Sequence, residues 1–327
     1  MQIFIKKSKP KSSIVIDTYW KLANKRQEIF FNRINNVHPL TDDNILLKHK
    51  FTNAYRASDR VSQYLIKEVI YPNKSYTELD TLLRILLFKI FNKISTWQLL
   101  ENELDDITYE SFSFERVNKI LTEAKNEKET IYSGAYIMTS GKSAFGFDNK
   151  HSNHIKLLEK YVTPHLLERI QSAKSLEHVY QILLAIPTFG SFLAYQYAID
   201  LNYSNIIDFS EMDFVMPGPG ARDGIKKCFV DLGDYSETDV IKWVMDIQET
   251  EFERLNINFK SLWGRPLQLI DCQNLFCETD KYSRVAHPEI QGISDRKRIK
   301  QIYKPVGNKI TYFYPPKWDI NKYIKGE

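Results

Sequence analysis

LLAIPTFGSFLAYQYAIDL (183–201) closes one apolar helix, turns through Pro187 and Gly190, and opens a second helix with small and apolar residues. That order predicts a helix-hairpin-helix element over 179–201. Gly190 lets a backbone approach a phosphate closely, and the free amides at the start of the second helix can donate to it. An ordinary packing corner between two helices has the same local pattern, so the surroundings must choose.

The surroundings are helical. Apolar residues recur at three- and four-residue steps in WKLANKRQEIFFNRI (20–34), SDRVSQYLIKEVIY (58–71) and YTELDTLLRILLFKIFNKISTWQLLENEL (76–104). The same spacing returns over 114–128, over 154–173 with a break near Pro164, over 175–186, and over 236–255, where Ser236 with Asp239 forms an N-cap signature. Strand-like runs occur near the ends, around IVI (14–16) and KITYFYP (309–315). The expectation is a mainly α fold with short β segments at the termini. No fixed-period repeat or long linker marks a boundary, so one domain over 1–327 is expected, with two lobes and a cleft near 205–230 as an admissible arrangement.

A chain of 327 residues with 43% hydrophobic and 13% aromatic content can bury a large core, which excludes a disordered polypeptide. A net charge of +4 does not by itself require a nucleic-acid partner, so the clusters of charge matter more than the sum. Cys228, Cys272 and Cys277 give neither an even disulfide framework nor a CxxC pair, which points to a reducing compartment and away from structural zinc. MQIFIKKSKPKSSIVIDTYW (1–20) has no continuous signal-peptide core, and no apolar run of membrane length occurs after it. A cytoplasmic protein without a membrane partner is expected.

Two stretches concentrate chemistry. In MPGPGARDGIKKC (216–228), Gly218 and Gly220 can aim successive amides at an anion, the adjoining helix start adds its positive end, and Arg222, Lys226 and Lys227 add cations. The competing reading is a Pro-Gly turn leading into a solvated basic helix. In LIDCQNLFCETDKYSRVAHPE (269–289), helical spacing aligns Asp271, Asn274, Glu278 and Lys281, with Cys277 and Arg284 alongside. Such a stripe makes an internal network or lines a site, so Asn274, Glu278, Lys281 and Arg284 form a second set of candidates, with His287 a weaker one.

Arg56 and Arg60 stand one helical turn apart around Asp59 and suit either a phosphate or an internal ion-pair network. His151 and His154 have a metal-compatible step but no third ligand, so a surface or capping role is expected and no metal. Lys6, Lys7, Lys9 and Lys11, and SDRKRIKQIYK (294–304) with Arg296, Lys297, Arg298, Lys300 and Tyr303, suit a DNA backbone or a solvated charged segment.

The hairpin and the residues after it resemble helix-hairpin-helix DNA glycosylases, in which an essential aspartate lies a little over twenty residues beyond the hairpin glycine; Asp213 lies 23 residues beyond Gly190. The lyase branch carries a lysine just after that glycine, where this chain has Ser191 and Phe192, so Schiff-base chemistry is not implied there. A closer resemblance covers nearly the whole length. KFTNAYRASDRVSQYLI (50–66), RILLFKIFNKISTW (84–97), IYSGAYIMTSGKSAFG (131–146), the hairpin, DFVMPGPGARDGIKKCF (213–229), LWGRPLQLIDCQNLFCETDKYSRVAHPE (262–289) and YFYPPKW (312–318) look like the DNA base hypermodification proteins. That group is similar to the helical domain of 5-hydroxymethyluracil DNA kinases and to the α-glutamyl/putrescinyl-thymine pyrophosphorylases. The resemblance implies a glycosylase-like helical scaffold that handles a modified thymine in DNA.

One motif departs from a kinase. Gly141-Lys142-Ser143 has the end of a phosphate-binding GxxxxGK[ST] loop, but the earlier glycine would fall at 136, which is Tyr136, and Gly134 is two residues too early. An ATP-binding kinase is therefore not expected in this chain, and a pathway kinase would be a separate partner. The resulting expectation is a DNA-binding, base-flipping enzyme of thymine hypermodification that needs no cofactor. Asp213 would act on the incoming nucleophile and Arg222 on a phosphate or pyrophosphate leaving group, with Gly190, Gly218, Gly220, Lys226, Lys227, Arg56 and Arg60 holding phosphates. Excision of the base, or modified-base binding without catalysis beside a partner kinase, are the alternatives.

Overall fold

A computed structural model describes residues 7–305 and 310–324; Lys6 of the first basic run and Lys309 of the last apolar run lie outside the described residues. Fifteen α-helices are found among the described residues. The first eight are α1 (Val15–Ile34), α2 (Asn44–Lys48), α3 (Arg60–Tyr64), α4 (Glu78–Phe91), α5 (Ile94–Leu104), α6 (Phe114–Asn126), α7 (Lys142–Phe145) and α8 (Lys150–Tyr161). After them come α9 (Pro164–Gln171), α10 (Leu176–Leu184), α11 (Ser191–Asn202), α12 (Pro219–Cys228), α13 (Glu237–Asp246), α14 (Gln248–Arg254) and α15 (Leu269–Ala286). The fold is mainly α.

Local chemistry explains several boundaries. Ser236 caps α13 by accepting from the Asp239 amide, while the Asp239 carboxylate accepts from the Ser236 amide. Thr77 and Asp80 do the same for α4. Pro164 stands at the first position of α9 behind the Thr163 cap, which is why the 154–173 run breaks there. The long 76–104 run is two helices instead of one: Asn92 takes a left-handed conformation (φ 47°) and ends α4. IVI (14–16) is not a strand either. Ser13 Oγ accepts from the Val15 amide, and Val15 begins α1. The strand beside it is β1 (Lys11–Ser12), paired antiparallel with β2 (Phe229–Asp231), while residues 310–315 hold no strand.

The chain divides into two compact units. The first is formed by Met1–Asp59 with Glu211–Ile310. Its centre is the packing of α12 and α1 on α15, with Tyr19, Trp20, Phe229 and Phe276 almost wholly buried. The close approach of α12 to α15 rests on glycines spaced four apart. A Cβ on Gly224 would lie 2.0 Å from the Phe276 carbonyl oxygen, and one on Gly220 would lie 3.0 Å from Cys277 Sγ. The second unit, Arg60–Ser210 with Thr311–Glu327, holds α3 to α11 around a core that includes Leu82, Leu86, Trp97, Ala198 and Tyr197. Within it α10 packs on α11, and a Lys89–Asp200 ion pair of 3.0 Å is buried with the Tyr136 ring 3.9 Å from the ammonium.

Candidate functional site

Three stretches noted separately in the sequence meet in the first unit. A cavity of about 700 Å³ is bounded by Gly220 at the start of α12, by Cys277, Glu278, Asp280, Lys281 and Arg284 on α15, and by residues 295–301 of the segment beyond it. Six cations line it, Lys281, Arg284, Arg296, Lys297, Arg298 and Lys300, against three carboxylates, Glu278, Asp280 and Asp295. Two of those carboxylates are already neutralised. Glu278 pairs with Lys281 at 2.7 Å and accepts from the Thr52 amide at 3.0 Å, and Asp280 pairs with Lys227 at 3.0 Å and Arg284 at 2.5 Å. Lys297, Arg298 and Lys300 are exposed and, among the described residues, carry no side-chain ion pair. The cavity thus keeps an excess of positive charge over a concave surface, which concentrates anions.

A third buried acid contacts the wall. Asp223, only 2% exposed, accepts from the Ser294 amide and hydroxyl at 2.6 Å each and pairs with Arg296. Burial alone would raise its carboxyl, but the Ser294 hydrogen bonds and the Arg296 charge hold it below the usual carboxylate range. Sequence reasoning missed Asp223. The available signal was an acid sharing a helical face with Gly220, Gly224 and Lys227, a polar residue on a packing face.

The other candidates fall elsewhere. Gly218 is the N-cap of α12 in extended conformation (φ −80°, ψ 167°), and Gly220 is helical, so the pair offers helix-start amides in place of a left-handed nest. Lys227 is 3% exposed and also donates to the Asp280 carbonyl, which makes it an internal ion-pair partner. Arg222 and Lys226 lie on another side of α12, lining a smaller cavity of about 270 Å³ with Phe229, Val230, Glu237 and Ile293, and Arg222 pairs with Glu237 at 3.1 Å. Asp213 is exposed on the connection leading into α12, and its carboxylate has no hydrogen-bond partner among the described residues. Asn274 is half-buried on α15.

Arg56 is 2% exposed, and its amide donates to Asp271, whose carboxyl burial pushes up to about 7; Arg60 begins the second unit. In that unit Gly190 is the exposed N-cap of α11, without a side-chain cap, and a Cβ there would meet nothing within 4 Å. The residue with positive φ in the hairpin is Thr188 (φ 74°). His151 and His154 are not on the surface. They are buried and hydrogen-bonded to Thr122 (2.9 Å) and to Tyr132 and the Thr139 carbonyl (2.9 and 2.8 Å), and burial lowers His154 to about 4. Gly141-Lys142-Ser143 opens the four-residue α7, with Lys142 paired to Asp148 at 2.6 Å and no strand directly before it among the described residues. Among the described residues no group of three or more His, Cys, Asp and Glu side chains could hold a metal, and no helix is long and apolar enough to cross a membrane.

The family model for the helical domain of 5-hmdU DNA kinase matches residues 13–292. The chain belongs to that helical-domain family. A 5-hmdU DNA kinase of Bacillus phage SP10 is 28% identical over 289 residues, covering 81% of this chain and 44% of the relative. The chain thus spans less than half the length of the curated kinase it matches. No solved structure matches it. The family match contains both helices that floor the basic cavity, α12 and α15, and ends at Gly292, where the segment forming its outer wall begins.

Proposed function

We propose that this helical domain acts on DNA carrying a phosphorylated or pyrophosphorylated 5-hydroxymethyluracil and transfers an amine or amino acid to that base. The observation that carries the reading is the cavity of about 700 Å³ lined by six cations, of which three stand without an ion pair among the described residues. Membership of the 5-hmdU DNA kinase helical-domain family supplies the base. A modified base inside a duplex is out of reach of such a cavity, so the reaction requires extrusion of the nucleotide. The hairpin at Gly190, with its uncapped α11 amides and open space, suits a DNA backbone phosphate.

In the proposed step the amine nitrogen bonds to the 5-methylene carbon and the carbon–oxygen bond to the phosphate breaks. The leaving group takes that electron pair into the cavity, where charge-assisted hydrogen bonds from Lys297, Arg298 and Lys300 stabilise it. The amine proton is assigned to Asp213, which is exposed, without a partner among the described residues and outside the lining of both cavities, on its position 23 residues beyond the hairpin glycine. Arg222, already paired with Glu237 and lining the smaller cavity, is not needed for the leaving group.

A second reading is favoured by one observation. The two buried carboxylates of the cavity, Glu278 and Asp280, are both ion-paired, which suits a site that binds a phosphorylated base without chemistry and serves a partner kinase. Both readings make the same first prediction. Because hydrogen bonds to a charged group contribute about 1.5–3 kcal/mol, a duplex with one phosphorylated 5-hydroxymethyluracil should bind at least roughly tenfold tighter than its unphosphorylated counterpart. Fluorescence anisotropy on the two duplexes at equal salt measures this, and equal affinities would remove the cavity as a phosphate site.

A further inference from the structure

The wall of the basic cavity has no helix or strand to hold it. Residues 292–301 are irregular, yet they place Arg296, Lys297, Arg298 and Lys300 around the space. Their far end is secured: Ile299 is buried in a cluster with Leu22, Ile29, Leu46 and Phe51, the Lys50 amide donates to Gln301, and the Tyr303 amide donates to Lys48. The near end is secured chiefly by Asp223, and between the two ends Arg284 Nη1 donates to the Arg298 carbonyl at 3.1 Å. Asp223 Oδ1 accepts from the Ser294 amide, while Oδ2 accepts from the Ser294 hydroxyl and pairs with Arg296, which also lies 3.8 Å from Asp280. Arg296 Nε in turn donates to Ser294 Oγ at 2.8 Å. Gly292 fits this clasp closely, since a Cβ there would lie 2.7 Å from Asp223 Oδ1.

We propose that Asp223 is a positioning residue for the phosphate site: buried in α12, it clasps Ser294 and Arg296 and so holds the basic strap 292–301 in the curve that surrounds the ligand. The inference rests on the reading of the cavity as a phosphate site. It makes a prediction of unusual sign. Removing a carboxylate beside a basic cavity makes the protein more positive, and by field alone would tighten binding to DNA. Loss of the clasp instead releases the strap, and each cation then ordered on the ligand at an entropic cost contributes less.

The test uses the full chain with Asp223→Asn and, because a buried substitution can impair folding, Ser294→Ala, which removes only the strap's hydroxyl from the clasp. Affinity for duplexes with and without a phosphorylated 5-hydroxymethyluracil is measured at several salt concentrations. Asp223→Asn should weaken binding to the phosphorylated duplex roughly tenfold and reduce the slope of log affinity against log salt by about one to two, with Ser294→Ala intermediate; each phosphate contact contributes about 0.9 to that slope. Unchanged or tighter binding by both variants, with the wild-type preference for phosphorylated DNA intact, overturns the proposal alone. No such preference in the wild type overturns the phosphate reading and this proposal with it.

Discussion

Asp213→Asn is expected to lower turnover on phosphorylated 5-hydroxymethyluracil DNA by roughly 10²–10⁴-fold, the range for losing a positioned general base, while DNA affinity and stability change little. The substitution keeps size and most hydrogen-bonding capacity but cannot accept the proton of the attacking amine. Structure sharpens the expectation, because Asp213 is exposed and its carboxylate holds nothing in place among the described residues. A fall in activity would therefore not be an indirect effect of misfolding, as it would be for Asp223 or Asp280. Single-turnover measurements at saturating protein separate the step from binding. If the variant keeps full activity, the proton acceptor moves to Asp295, the cavity carboxylate that carries no ion pair among the described residues.

The largest expected effect on stability comes from one methyl group. Gly224→Ala places a Cβ 2.0 Å from the Phe276 carbonyl oxygen and 3.0 Å from its Cα, both backbone atoms that cannot rotate aside. α12 must move off α15 across the main contact of the first unit. Overpacking costs typically about 1–3 kcal/mol when side chains can adjust and more when they cannot, whereas the better helix propensity of alanine returns only about 1 kcal/mol. A net loss of about 3 kcal/mol or more is expected, read as a lower urea midpoint at unchanged m-value. Gly190→Ala is the contrast: its φ is −73° and its Cβ meets nothing within 4 Å, so the N-cap loss and the unfolded-chain gain should leave stability within about 1 kcal/mol of the wild type. A mild Gly224→Ala would mean that α12 and α15 do not pack as described.

The contrast between those glycines shows what the sequence makes legible. The helix in 114–128, the Ser236–Asp239 cap that opens the 236–255 run and the start of α9 at Pro164 follow from periodicity and local hydrogen bonding, whereas the break of that run into α13 and α14 at Ile247 does not. Asn92 did not reveal itself, because a left-handed asparagine inside an apolar run leaves the spacing intact. In the glycine-rich stretch the residue types point to amides aimed at an anion, and what they do not reveal is that Gly220 and Gly224 also let α12 approach α15 closely. Lys227 looked like a phosphate ligand because sequence does not show that Asp280, 53 residues away, lies beneath it. The cavity was legible only in pieces. Gly220, the polar face of α15 and the run 294–304 were each visible, and tertiary packing alone brings them around one space.

Mass spectrometry of nucleosides released from phosphorylated 5-hydroxymethyluracil DNA, after incubation of that DNA with the protein and a mixture of amines and amino acids, tests the proposed transfer directly. Transfer yields a new thymidine derivative whose mass differs from that of 5-hydroxymethyldeoxyuridine by the added amine less one water, because the 5-hydroxymethyl oxygen leaves with the phosphate or pyrophosphate, and that product should disappear with Asp213→Asn. Abasic sites in place of that nucleoside would show excision, and unchanged DNA despite tight, phosphate-dependent binding would show a recognition module; either result contradicts transfer.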